Sequence, residues 1–368
     1  MRKSAEKLAA KSIKRFLEIS GKKHLFITGS RNSGKTTLFN EILTVITGLN
    51  KPQVKTFAVP KEAVYFCYGS ETVKIGSYCE EIPGNSNKMC LNDNLNSICV
   101  NVLNELAVSD EKWIAIDEIG YLETDCENYC DALLRIMDNK KLFAVIRKDN
   151  IPFLNGLKSR KDVCLIDLDD IYNNIGFVIM ASGEGKRFGS NKLIAPFGEN
   201  LVIENILKTT DMPFAKRVAV TRHEEVMKLC GKYGIEAILH NFPYRNDTVR
   251  IGIEAIENAD NKVKGCIFSP SDQPLLSKET IEVMVLMIDM YPDKIHRLSY
   301  NEKLGAPVYF QKKYFEQLKN LPVGKGGSCI IKQNLEEVVN IQAKNQWEIC
   351  DIDTPDDLEF LLTKKDED

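Results

Sequence analysis

The 368-residue sequence has no Cys-x-x-Cys pair, only four histidines, almost no net charge and no long apolar run. Each lack excludes a class. Crossing a bilayer takes roughly 20 predominantly apolar residues in a row, so no membrane span is expected. The basic stretch 1–23 lacks the apolar core and small-residue cleavage site of a signal peptide. Within it Leu8, Ile13, Phe16 and Leu17 space like one face of a helix, expected over 1–21 and docked on the domain that follows. A formal net charge of -3 gives no reason to expect nucleic acid or an anionic membrane as partner. The 11 cysteines are an odd number without paired spacing, which argues against a disulfide framework and a zinc site. They read as reduced thiols of a cytoplasmic protein, and the isolated His24, His223, His240 and His296 read as structural.

Composition is otherwise that of a globular α/β protein, 43% hydrophobic and 27% charged, and the length suits two or three domains. His24–Thr28 is a short apolar strand that runs into Gly29-Ser30-Arg31-Asn32-Ser33-Gly34-Lys35-Thr36-Thr37. This is the P-loop pattern G-x-x-x-x-G-K-[ST]. Its backbone N–H groups surround a β-phosphate, Lys35 reaches the β- and γ-phosphates, and the Thr36 hydroxyl ligates Mg²⁺. Leu38, Ile42, Leu43, Val45 and Ile46 give the next helix an apolar face. Lys55–Tyr68 alternates as strands do, and 82–96, rich in Asn with Pro83 and Gly84, reads as a loop leading into a helix. The strand 113–117 ends in Asp117-Glu118, where a P-loop site needs one carboxylate for Mg²⁺ and one to orient or deprotonate water. Arg147 and Lys148, after the strand Leu142–Ile146, are candidate cations for the developing charge.

A second nucleotide loop follows the short joint Asn173-Asn174. The apolar run Phe177–Met180 opens into Ala181-Ser182-Gly183-Glu184-Gly185-Lys186-Arg187-Phe188-Gly189-Ser190-Asn191-Lys192. Glycines bring backbone N–H groups close to an anion, and three cations can neutralise a triphosphate. Strands then alternate with helices, which implies a mostly parallel sheet. A helix starts near Tyr244, with Asp247 or Thr248 as its expected cap and Arg250 pointing back to the loop. Asp272 ends a buried strand, and Asp351-Ile352-Asp353-Thr354-Pro355 precedes a last helix. Two carboxylates holding Mg²⁺ opposite a cationic loop would meet the needs of nucleotidyl transfer, which expels pyrophosphate.

Ile116–Glu123, with the P-loop and the strand at 142–146, resembles the small nucleoside-triphosphatase family first known from thermophiles, over about 22–172. The resemblance implies hydrolysis of ATP or GTP with low base selectivity. Met180–Lys192, Ser271-Asp272-Gln273-Pro274 and Asp351–Pro355 resemble the MobA-like nucleotidyltransferases that include the molybdenum cofactor cytidylyl- and guanylyltransferases. The likeness is greater to the cytidylyl branch. It implies that Ala181 to Gly183 line base and ribose, that Gly185 belongs to the nucleotide-binding loop, that Arg187 and Lys192 hold the triphosphate of CTP, and that Asp272 and Asp353 ligate Mg²⁺. Ser182 stands where that family usually has Ala. In 321–328 its Gly-Asp-x-Gly-x-Arg segment is altered, with Gly324 at the Asp and Ser328 at the Arg, which bears on the acceptor.

The expectation is therefore an α/β protein of two domains: a P-loop NTPase at 22–173 and a Rossmann-like nucleotidyltransferase at 174–368. It would transfer CMP to a molybdopterin-type cofactor, with Glu118, Arg187, Lys192 and Asp272 as catalytic residues. Another phosphorylated acceptor, such as a sugar or polyol phosphate, is the alternative enzyme. An NTP-driven assembly or delivery factor with a molybdenum enzyme as client is the alternative of another class.

Overall fold

The computed structural model describes residues 8–78, 89–259 and 262–365. The chain divides into two compact units, Ile13–Asp169 and Asp170–Asp368 with Met1–Ser12. Among the described residues no helix is long and apolar enough to cross a membrane. Ala10–Ser20 is helical, with Ile13 and Phe16 buried as their spacing predicts; residues 1–7 lie outside the described residues.

In the first unit the strands are β1 (His24–Thr28), β2 (Val54–Val59), β3 (Ala63–Tyr68), β4 (Glu71–Tyr78), β5 (Met89–Leu91), β6 (Trp113–Ile119), β7 (Lys141–Ile146) and β8 (Val163–Asp167). They form one sheet in the order β5-β4-β3-β2-β6-β7-β1-β8. β2, β6, β7, β1 and β8 are parallel, and β3 to β5 extend the β2 edge antiparallel. β1 is buried along its length, as a strand covered on both faces must be. The helix Lys35–Thr47 seals one face with Leu38, Phe39, Ile42 and Leu43. Phe39 is stacked on Phe143 with ring centroids 4.4 Å apart, whereas Val45, expected on the apolar face, is exposed. The expected loop at 82–88 lies outside the described residues, while 89–91 is strand and the helix Val100–Val108 follows a π-helical turn.

The second unit holds β9 (Ile175–Ala181), a small hairpin of β10 (Pro196–Phe197) and β11 (Asn200–Leu201), then β12 (Lys216–Thr221), β13 (Glu236–Leu239), β14 (Gly265–Pro270), β15 (Ile295–Tyr300), β16 (Lys303–Gln311) and β17 (Val338–Gln342). Its main sheet runs β13-β12-β9-β14-β16-β15-β17. β13, β12, β9 and β14 are parallel, while β16 runs antiparallel to both β14 and β15. β9 therefore lies inside the sheet and delivers its loop at the carboxyl edge, where open α/β sheets bind ligands. The helix Arg245–Ala259 starts beside Tyr244, as expected, but ahead of its expected caps. Asp247 sits in its first turn and Thr248 is buried within it, so neither is a cap.

Two glycines let this helix approach β9. A Cβ on Gly252 would stand 2.6 Å from Val178 Cγ1, and one on Gly176 would stand 2.8 Å from Ile256 Cγ2. Gly252→Val is expected to overpack this contact and destabilise the unit by about 1–3 kcal/mol. Gly231→Ala, where a Cβ meets nothing within 4 Å, should be neutral or stabilising. Thermal unfolding of both variants checks the contrast.

Candidate functional site

In the first unit the P-loop joins β1 to the helix Lys35–Thr47. Gly29, at φ 151°, has room for no side chain, since a Cβ would come within 2.6 Å of Ser33 Oγ. Asn32 and Gly34 also have positive φ, so Ser30 to Gly34 wrap tightly ahead of the helix. Lys35 Nζ donates to the carbonyls of Gly29 at 2.9 Å and Ser30 at 2.7 Å, lying across the loop it would serve. Arg31, Asn32, Thr36 and Thr37 are exposed.

Asp117, near the end of β6, is buried and takes a 3.3 Å hydrogen bond from Thr36 Oγ1. Register pairs Lys55 with Asp117, and their charged ends are 3.4 Å apart. Burial raises the Asp117 carboxyl above its usual range, and Lys55 opposes the shift. A hydroxyl and a carboxylate at this spacing fit the near-octahedral oxygen shell of Mg²⁺, in which neighbouring oxygens are about 3 Å apart. Glu118 adopts φ 85° where β6 breaks register with β7. A non-glycine residue there costs on the order of 1–3 kcal/mol. Its carboxylate pairs with Arg147, which lies over the Tyr121 ring. Lys148 instead joins Asp167 at 2.8 Å and Asp169 at 2.9 Å. Asp169, not singled out from sequence, accepts from the Ser30 N–H at 2.7 Å and hydroxyl at 2.8 Å.

In the second unit, four consecutive carbonyls at the end of β9 are each taken by a side chain. Met180 accepts from Ser271 at 2.9 Å, Ala181 from Thr221 at 2.9 Å and Ser182 from Arg222 at 2.8 Å. His223 Nε2 lies 2.9 Å from the Gly183 carbonyl. These contacts fix the path of the chain where it leaves the sheet and enters the loop. Gly185, at φ 62°, passes so close to Ser190 that a Cβ would come 2.4 Å from its carbonyl oxygen. The loop thereby folds back and delivers Lys192 inward.

Lys192 is buried, and its Nζ lies 2.5 Å from Asp272, 2.5 Å from the Ile352 carbonyl and 3.4 Å from Asp353. Arg187 reaches Asp353 at 2.8 Å from the solvent side. The expected loop and both aspartates are thus gathered at one place. The donor set is again oxygen: Asp272 lines a cavity and shares Lys192 with Asp353, and carboxylates of this kind suit Mg²⁺ when phosphates complete its shell. Among the described residues no cluster of three or more His, Cys, Asp or Glu is arranged to hold a metal. The cavity holds about 360 Å³ and is lined by Ser182, Gly183, Lys192, Arg222, Tyr244, Arg245, Asp272 and Asp351, among others. A second cavity of about 460 Å³ shares Met180, Arg245 and Pro270 with it. Its remaining wall is mostly apolar, with Phe268, Phe310 and Leu318, but carries Arg297 and Lys325.

Arg250 is not at this site. It pairs with Glu254 at 3.2 Å and Asp247 at 3.5 Å, over the Phe242 ring in a separate groove beside β13. Arg245 holds the place expected for it, because the helix face bearing Arg245 and Thr248 is the one that lines the cavity. Nothing local in the sequence marks Arg222 and His223 as site residues either. The β9–β12 register, Ala181 beside Thr221, puts them next to Ser182 and Gly183.

Fold and sites together define an α/β enzyme with a P-loop site in one unit and a nucleotidyltransferase-type site in the other. Comparison with known proteins names the two parts. Residues 24–177 match the family model of the NTPase, and residues 177–338 that of the MobA-like NTP transferase domain, so the chain is a fusion of the two. The purine catabolism protein PucB of Bacillus subtilis is 26% identical over 201 residues, 50% of this chain and 94% of that protein. Nucleoside-triphosphatase THEP1 of Thermotoga maritima is 31% identical over 71 residues, 19% of this chain and 41% of that protein, less than half its length. Among solved structures, Rv0371c of Mycobacterium tuberculosis is 19% identical with a TM-score of 0.45, covering 52% of this chain and 98% of that one.

Glu123, just beyond β6, gives the first unit a pH dependence. It is 1% exposed, and burial, with Glu118 nearby, pushes its carboxyl up to about 7. A raised folded-state pKa means that the native protein holds the proton more tightly than the unfolded chain. The associated stability is complete below about pH 4.5 and is lost as pH rises through about 7. Glu123→Gln removes this term. Its unfolding free energy should gain on the wild type by about 3 kcal/mol between about pH 5 and about pH 8, as denaturant titrations would read.

Proposed function

We propose that the second unit transfers CMP from CTP to the phosphate of a molybdopterin-type cofactor, releasing pyrophosphate, and that the first hydrolyses ATP or GTP. The observation that carries the reading is the buried Lys192, held between Asp272 and Asp353 and lining a nucleotide-sized cavity. Ser182 and Gly183 would seat base and ribose, and Lys192 and Arg187 would turn from the carboxylates to the triphosphate. Mg²⁺ bound by Asp272 and Asp353 would supply a Lewis acid for the phosphates. An acceptor phosphate oxygen attacks the α-phosphorus, the bond to the bridging α–β oxygen breaks, and its electron pair leaves with pyrophosphate. The protein contributes position and charge, with no covalent intermediate.

The adjoining cavity would seat the acceptor. Its apolar wall suits a flat heterocycle better than a sugar, while Arg245, Arg297 and Lys325 suit the acceptor's phosphate. The likeness of the two aspartate segments to the cytidylyl branch supports CTP as donor. In the first unit Thr36 and Asp117 would hold Mg²⁺, Lys35 would bind the terminal phosphates, and Glu118 would act on water once released from Arg147.

The test is pyrophosphate release from CTP, GTP and ATP with Mg²⁺, with and without molybdenum-loaded molybdopterin. Cofactor-dependent release with CTP is expected, reduced by at least about a hundredfold in Asp272→Ala and retained in Lys35→Ala. Orthophosphate as the sole product, lost in Lys35→Ala, would overturn the transferase reading for this acceptor.

A further inference from the structure

Ser182, the first residue beyond β9, makes two hydrogen bonds through its hydroxyl. It lies 3.0 Å from the Val220 carbonyl, to which it must donate, and 2.8 Å from His240 Nε2. A hydroxyl has one proton, so with that proton on Val220 the imidazole supplies the other. Nε2 therefore carries hydrogen and donates to Ser182. Across the ring, Nδ1 accepts from the Phe242 N–H at 3.2 Å. Only the neutral Nε2–H tautomer satisfies both contacts. The ring is buried and stacks beside Phe242.

This histidine links two stretches that both line the cavity. Ser182 begins the loop, and Phe242 leads directly into Pro243, Tyr244 and Arg245. We propose that His240 is a positioning residue that ties the nucleotide loop to the cavity-lining segment 243–245 and thereby sets nucleotide affinity at the second site. The proposal rests on the reading that this cavity takes a nucleotide. It also accounts for the hydroxyl at Ser182, where the resembling family usually has a methyl group that could not receive the imidazole N–H.

Charge on the ring would break the tie, because a protonated Nδ1 would point its hydrogen at the Phe242 N–H. The charged groups facing the ring are Arg222 beyond β12 and Asp247 and Arg250 on the helix Arg245–Ala259. Glu184 lies on Arg222 at 3.0 Å, and Glu254 on Arg250 at 3.2 Å. Burial and the two arginines lower the imidazole pKa, and Asp247 opposes them, so the neutral form prevails near neutral pH.

The test measures CTP binding with Mg²⁺ by calorimetry in the full chain carrying Lys35→Ala, which silences the P-loop. His240→Ala and Ser182→Ala are each expected to weaken binding about tenfold, with the double variant no weaker than either, since both cut one tie. His240→Gln, which keeps an N–H for Ser182, should recover part of the loss. It should also make the fall in affinity toward acid shallower than in the histidine protein, leaving only the part due to phosphate and carboxylate protonation. Additive losses, unchanged affinity in a His240→Ala protein of normal unfolding temperature, or an acid fall as steep in His240→Gln as in the histidine protein would overturn the proposal. No binding in the Lys35→Ala parent would instead overturn the nucleotide reading of the cavity, and this inference with it.

Discussion

The second site depends on one buried ammonium group. Removing Lys192 from water is costly unless oxygens replace its hydration. The chain supplies them from the end of β14, as Asp272, and from the segment before the last helix, as the Ile352 carbonyl and Asp353. Lys192 itself arrives on a loop that starts at β9. The contact thus fastens segments 80 and 161 residues apart in sequence. The demand for charge balance at Lys192 holds these strand ends in register with the cavity.

The P-loop unit pairs its charges in the same way on a different scaffold. Lys35 lies on the carbonyls of its own loop, Asp117 between Thr36 and Lys55, and Glu118 on Arg147. Each charged group has a partner inside the protein that a triphosphate, a cation or a water could replace with little net change in charge. Sites of this kind stay folded while remaining able to exchange partners, and the strained backbone at Glu118 belongs to the same region.

Much of this was legible in the sequence, because the signals are local. The P-loop glycines, the apolar strands that end in acids and the alternation of strand with helix each follow from spacing along the chain, and they yield the fold class and both nucleotide loops. What was not legible lies across strands. Lys55 reaches Asp117, and Arg222 reaches the Ser182 carbonyl, only because β2 pairs with β6 and β12 with β9 in one register. No local pattern encodes that register. Arg250 illustrates another limit. It lies five residues beyond Arg245, about 140° around a helix, so a small error in which face meets the loop moves the guanidinium to another groove. His240 read as structural because its partners, Ser182 and Phe242, become significant only once the cavity walls are known.

In the proposed reaction Asp272 and Asp353 would exchange Lys192 for a metal-bound triphosphate. Calorimetric titration of CTP into the Lys35→Ala protein, with and without Mg²⁺, tests it most directly. Mg²⁺ should strengthen CTP binding by at least about tenfold, and Asp272→Asn should remove most of this gain. Binding of CTP that is equally tight without Mg²⁺, or a metal dependence that survives in Asp272→Asn, would contradict it.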